Sequence, residues 1–86
     1  MNLEELHSAI LDLKPFGRII IYDDTNRIFK PIARSVAAIE KNGKEYHIIN
    51  GSFHKTTSAK KAIRLATMTL PNIAISRFEK IDLRSN

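Results

Sequence analysis

The stretch FHKTTSAKKAIRLATMTL, Phe53 to Leu70, decides the fold. Thr56, Thr57 and Ser58 offer side-chain oxygens to the free N–H groups of a helix start, and Ala59, Ala62, Ile63, Ala66 and Leu70 then recur at helical spacing. The pattern predicts a helix over about 57–70, long enough to cover the sheet and short helix expected before it. Its first turns hold Lys60, Lys61 and Arg64, with Lys55 just ahead and no acid. The positive end of a helix dipole favours Asp or Glu by roughly 0.3–1 kcal/mol each, so an acid-free start suits an anion from outside, such as a phosphate. The competing reading is a solvated face whose lysines only keep the chain in solution.

A length of 86 residues predicts one domain, 1–86, which at this size buries roughly 60% of the unfolded chain's surface. With 43% hydrophobic and 27% charged residues, the composition is that of a globular chain. The absence of cysteine excludes disulfides, thiolate chemistry and sulfur-based zinc sites, and points to a reducing, cytoplasmic setting. Acids stand where a secretory leader would be basic, and no apolar run reaches membrane-spanning length, so neither export nor a membrane is expected. A net charge of +5 favours polyanionic or acidic partners.

Working outward, Asn2 and Glu5 form a capping box for a helix over about 3–14, with Leu3, Leu6, Ile10 and Leu13 on one face and Pro15 and Gly17 as its stop. Arg18 to Tyr22, RIIIY, reads as a strand in the sheet centre or buried on both faces, and Asp23 to Asn26 as a turn. Arg27 to Lys30 reads as a short partner strand ended by Pro31. Ile32 to Glu40 fits either a helix or a strand; Lys41-Asn42-Gly43 as a three-residue hairpin loop decides for strands over 33–40 and 44–50. In that register Glu40 faces Lys44 and Val36 faces Ile48. Asn50-Gly51-Ser52 then turns the chain into the long helix with Phe53 packed beneath it, and Ile73 to Leu83 reads as a last, solvated edge strand.

No Walker loop, G-x-S-x-G elbow, dinucleotide fingerprint or H-E-x-x-H is present, so no enzymatic activity and no cofactor or metal is expected. His7 and His47 read as ordinary surface and sheet positions, whereas His54, beside Lys55 and the helix start, is a candidate phosphate donor. Tyr22 and Tyr46 either stack on bases or complete a core edge. A hydrolase using Asp23, Asp24 and a histidine has no motif behind it.

A short first helix, about three strands and a helix opening SAKKA resemble the double-stranded RNA-binding domain, whose last helix begins Ser-Lys-Lys-x-Ala and grips phosphates. Ser58, Lys60, Ala62 and Ala66 match in place, Ala59 replaces a lysine, and Asp23 to Arg27 carries no histidine loop. Over 33–66 the chain is also similar to three-stranded integrase-type DNA-binding domains, through NGK, GSF and the Ala-rich helix, without their strand tryptophan. That resemblance implies a sheet entering the major groove, with Arg34, Lys41, Lys44 and His47 as contacts.

Together these readings predict an α+β fold, an antiparallel sheet of three to five strands against two helices. The expected function is non-catalytic binding of duplex DNA or RNA: Lys55, Lys60, Lys61, Arg64 and His54 hold phosphates at the helix start, and Arg34, Lys41 and Lys44 form a second set. The alternative is an inhibitor or adaptor, of the kind phages and mobile elements encode, whose basic face docks on an acidic protein surface.

Overall fold

The computed structural model describes residues 1–24 and 34–81. The elements run α1 (Leu3–Leu11), β1 (Arg18–Asp23), β2 (Arg34–Asn42), β3 (Glu45–Ile49), β4 (Phe53–Thr56), α2 (Ala59–Thr67), a 3-10 turn (Ile73–Ile75) and β5 (Ser76–Ile81). The expected α+β class is therefore present. The strands form one antiparallel sheet in the order β4-β3-β2-β1-β5. The expected strand over Arg27 to Lys30, and Asp82 to Asn86, lie outside the described residues.

Side chains alternate across a strand, and the alternation here assigns one face to the core. Ile19, Ile21, Ala37, Ile39, Tyr46 and Ile48 are buried together with Leu6 and Ile10 of α1 and Ala62 and Ala66 of α2. Both helices thus cover the same side, and small residues on α2 let its backbone lie close to the sheet. Asn2 caps α1 through Oδ1, which accepts from the N–H groups of Glu4 and Glu5. The C-terminal turn tightens as the Leu13 N–H reaches the Ile10 carbonyl at 3.2 Å, which ends the helix earlier than its apolar stripe suggests.

Four expectations need correction. The β2–β3 loop has two residues, Gly43 and Lys44, and the register sets Glu40 opposite His47, Lys41 opposite Tyr46 and Asn42 opposite Glu45. Gly43 takes φ 61 at the first loop position, where a type II′ turn requires glycine. The expected Glu40–Lys44 pair was worth about 0.2–1 kcal/mol, less than the roughly 1.5–3 kcal/mol from burying one isoleucine. The expected register would have set Ala37 and Ile39 on the opposite face from Tyr46 and Ile48, whereas the observed one puts all four on the core side. Glu40 instead bonds Arg18 across β1 at 2.8 Å.

Asn50-Gly51-Ser52 closes a hairpin rather than opening the helix: the Asn50 N–H bonds the Ser52 carbonyl at 3.1 Å and Gly51 sits at φ 98. Phe53 therefore begins β4 and is 58% exposed on the uncovered face, instead of packing beneath α2. Of the two placements expected for the RIIIY strand, the sheet interior is the one found; only Ile19 and Ile21 are fully buried, because no layer covers the side of Ile20. Residues Ile73–Ile75 form a 3-10 turn, started by the Asn72 side chain accepting from the Ala74 N–H at 3.0 Å, before β5 takes its edge position.

The face assignment predicts a sharp contrast between neighbours. Ile48→Ala should cost about 2–5 kcal/mol in urea denaturation, whereas Ile49→Ala, at a position 56% exposed, should cost no more than about 0.5 kcal/mol. Equal losses would mean the register is wrong.

Candidate nucleic-acid interface

The register fixes which cations meet. Tyr46 lies opposite Thr56, with Lys41 on the other side of Tyr46, so Lys41, Tyr46 and Thr56 form one row across three strands. Lys44 lies two residues beyond that row towards the hairpin tip, and Ser58 lies two residues beyond it in the same direction. Helix α2 thus begins at the hairpin end of the sheet and doubles back, its far turn held where Asn50 Nδ2 donates to the Leu65 carbonyl at 2.6 Å.

At that start Ser58 is the N-cap, its hydroxyl accepting from the Lys61 N–H at 3.2 Å. Ala62 and Ala66 face the core, which turns Lys60, Lys61 and Arg64 outward. Arg64 lies four residues from Lys60 and three from Lys61, so it neighbours both on the outer side of the helix. Lys55 lies opposite His47, so it projects from the open face at the same end. Lys41 lays its ammonium over the Tyr46 ring at 4.3 Å. Among the described residues none of Lys44, Lys55, Lys60, Lys61 and Arg64 forms an ion pair, whereas Arg18 and Arg77 do. The hydrogen bond that Arg77 donates to the Glu79 carboxylate, aided by the charge of Asp24, holds the guanidinium above its ordinary pKa.

Two expected contacts fall elsewhere. Arg34 lies opposite Asp23 at the far end of β2, seven residues and thus about 23 Å from Lys41. His54 is half-buried opposite Ile48 on the helix side, so strand alternation turns it away from Lys55. Tyr46 is a core residue, and Tyr22 carries Arg77 over its ring at 4.4 Å. Arg18 is opposite Glu40 and Glu40 opposite His47, so His47 sits five residues, about 16 Å, along the sheet from Asp23.

The sequence reading passed over one feature of this end. Lys14-Pro15-Phe16-Gly17 is a turn closed by the Gly17 N–H on the Lys14 carbonyl at 2.8 Å, and Phe16 takes φ 65. Proline second and a positive φ third is the type II pattern, whose third position favours glycine. A phenylalanine there costs roughly 1–2 kcal/mol. Gly17 itself is required by crowding, since a Cβ would stand 2.9 Å from the Lys14 carbonyl oxygen. The turn is stitched to β2, with the Phe16 N–H on the Lys41 carbonyl at 2.9 Å and the Lys41 N–H on the Gly17 carbonyl at 3.1 Å. Lys80 joins this end too, its ammonium 3.4 Å from the Asp12 carbonyl at the negative end of α1.

The remaining surfaces differ in character. On the uncovered face, Arg18, Ala38, Glu40, His47, Ile49 and Phe53 line a depression of about 180 Å³, with His47 edge-on to Phe53 at 5.2 Å. A larger recess of about 530 Å³ opens at the opposite end, beside Asp23, Ser35, Asn50 and Thr69. Among the described residues no three His, Asp or Glu side chains gather closely enough to hold a metal, and no helix is long and apolar enough to cross a membrane. Comparison with known protein families, curated proteins and solved structures finds no match.

Because Ser58 fixes where α2 begins, Ser58→Ala should cost about 1 kcal/mol of stability and speed hydrogen exchange at the Lys61 amide. Unchanged exchange at Lys61 would show that the cap does not hold this end.

Proposed function

We propose that this chain is a non-catalytic nucleic-acid-binding protein that holds phosphates at the hairpin end of its sheet. The observation that carries the reading is the gathering of Lys44, Lys55, Lys60 and Lys61 at one end, where none of them has an acidic partner among the described residues. Unpaired ammonium groups are free to displace counterions from a phosphate backbone, which is the main source of affinity in such complexes. Lys60, Lys61 and Arg64 lie along one side and Lys44 at the tip, so contacts to the backbone spread over more than one phosphate. Lys41 supports the set, its charge held over Tyr46, while Arg34 and His54 are left out of it.

A second reading, a protein-binding inhibitor or adaptor, draws on the uncovered sheet face. There Ile49 and Phe53, 56% and 58% exposed, lie opposite each other beside the internally neutralised Arg18–Glu40 pair. An apolar patch of this kind fits a protein better than a polyanion.

Fluorescence anisotropy with labelled duplex DNA and duplex RNA over a range of salt tests the first reading. Wild-type protein should bind with steep salt dependence, and Lys60→Glu with Lys61→Glu should flatten the slope of log K against log salt by about 1.8. Arg34→Glu, at the far end, should change affinity by no more than about threefold. Binding that the Lys60/Lys61 double variant leaves intact would refute the proposed site. Salt-sensitive capture of an acidic protein, with no binding to DNA or RNA, would select the second reading.

A further inference from the structure

The Lys14–Gly17 turn puts a large aromatic ring where the backbone would prefer glycine, and the core gains little from it. Phe16 is 59% exposed. Its φ of 65 is enforced by the bonds described above, Phe16 to the Lys41 carbonyl, Gly17 to the Lys14 carbonyl and Lys41 to the Gly17 carbonyl. Three backbone hydrogen bonds therefore hold a strained residue whose ring is exposed to solvent, and strain held in this way gathers at binding sites.

The surroundings define what the ring is suited to meet. Lys14 belongs to the same turn, Lys41 is joined to it through two main-chain bonds, and Lys44 lies three residues further on at the hairpin tip. None of these lysines is ion-paired among the described residues. Of the acids on the adjoining strands, Glu40 bonds Arg18 and Glu45 lies 3.5 Å from His47, while Asp12, two residues before Lys14, forms no ion pair among the described residues. An exposed aromatic ring carried on a backbone-pinned turn beside unpaired lysines is complementary to a single strand, which alternates flat bases with negative phosphates. A paired duplex keeps its bases stacked on one another and offers the ring nothing comparable.

We propose that Phe16 stacks on an unpaired nucleobase while Lys14, Lys41 and Lys44 hold the phosphates beside it, so that this end prefers single-stranded or locally unpaired nucleic acid. The proposal rests on the nucleic-acid reading above and adds the strand state of the ligand. DNA and RNA share the chemistry involved, and separate probes distinguish them.

The test uses the full chain and labelled 20-nucleotide single strands of DNA and RNA, with the matching duplexes, in anisotropy titrations. Phe16→Gly should weaken single-strand binding about tenfold while leaving duplex binding within about twofold. Phe16→Tyr, which keeps a stacking ring, should stay within about threefold of wild type on single strands. Glycine occupies φ 65 without strain, so the Phe16→Gly melting temperature should fall by no more than about 5 °C. Single-strand affinity equal to wild type in Phe16→Gly would overturn the stacking role and leave the phosphate site standing. Equal losses in the Tyr and Gly variants would overturn it as well, since stacking survives in one and not in the other. Wild-type protein that binds none of the probes would overturn both readings together.

Discussion

The structure depends on a register constraint. Ile19, Ile21, Ile39 and Ile48 come from three adjacent strands, and all must point to the one face that the helices cover. Side chains alternate along a strand, so slipping any of these strands by one residue would send its isoleucines into water, at roughly 1.5–3 kcal/mol for each. The two-residue Gly43-Lys44 loop is the connection that satisfies β2 and β3 together. Leu6 and Ile10 from α1, and Ala62 and Ala66 from α2, then close the core over the chosen face.

The same register fixes the polarity of the domain. Setting Tyr46 between Lys41 and Thr56 delivers the start of α2 to the hairpin end, and the Lys14–Gly17 turn is bonded to β2 beside it. Lysines distant in sequence come together there because apolar residues elsewhere demand a particular pairing. The uncovered face follows a different rule, with its charges largely cancelled in the Arg18–Glu40, Arg77–Asp24 and Arg77–Glu79 pairs. Exposed pairs of this sort contribute little to stability, but they remove net charge from that surface. Among the described residues, the cations left without an ion pair lie largely at the hairpin end and on the outer side of α2.

Much of the architecture is legible in the chain, because it rests on patterns within a dozen residues. Asn2 and Ser58 mark both helix starts, RIIIY marks β1, and the polar Lys41 to Lys44 run marks the reversal between β2 and β3. What escapes is decided at a distance. The four-residue FHKT of β4 carries too little pattern to stand out beside a strong helix signal, and becomes a strand because β3 offers it an edge. Local charge pairing pointed to the wrong hairpin register, since the residues that decide it, Ile39 and Ile48, act through burial under helices from both ends of the chain. For the candidate site, Lys60, Lys61 and Arg64 are readable from helical spacing. The separation of Arg34 from Lys41 requires the strand length, and Phe16 requires its φ; Lys-Pro-Phe-Gly alone reads as a helix stop.

The central claim is that one end of the sheet, defined by the register, is the binding surface. The most direct measurement is a two-dimensional ¹H–¹⁵N NMR titration with a short oligonucleotide at low salt. The account predicts amide shifts concentrated at residues 14–17, 41–46, 55–56 and 58–64, with Asp23, Ser35, Asn50 and Gly51 at the opposite end unmoved. Shifts centred instead on Ala38, His47, Ile49 and Phe53, or on the recess beside Asp23 and Asn50, would contradict it.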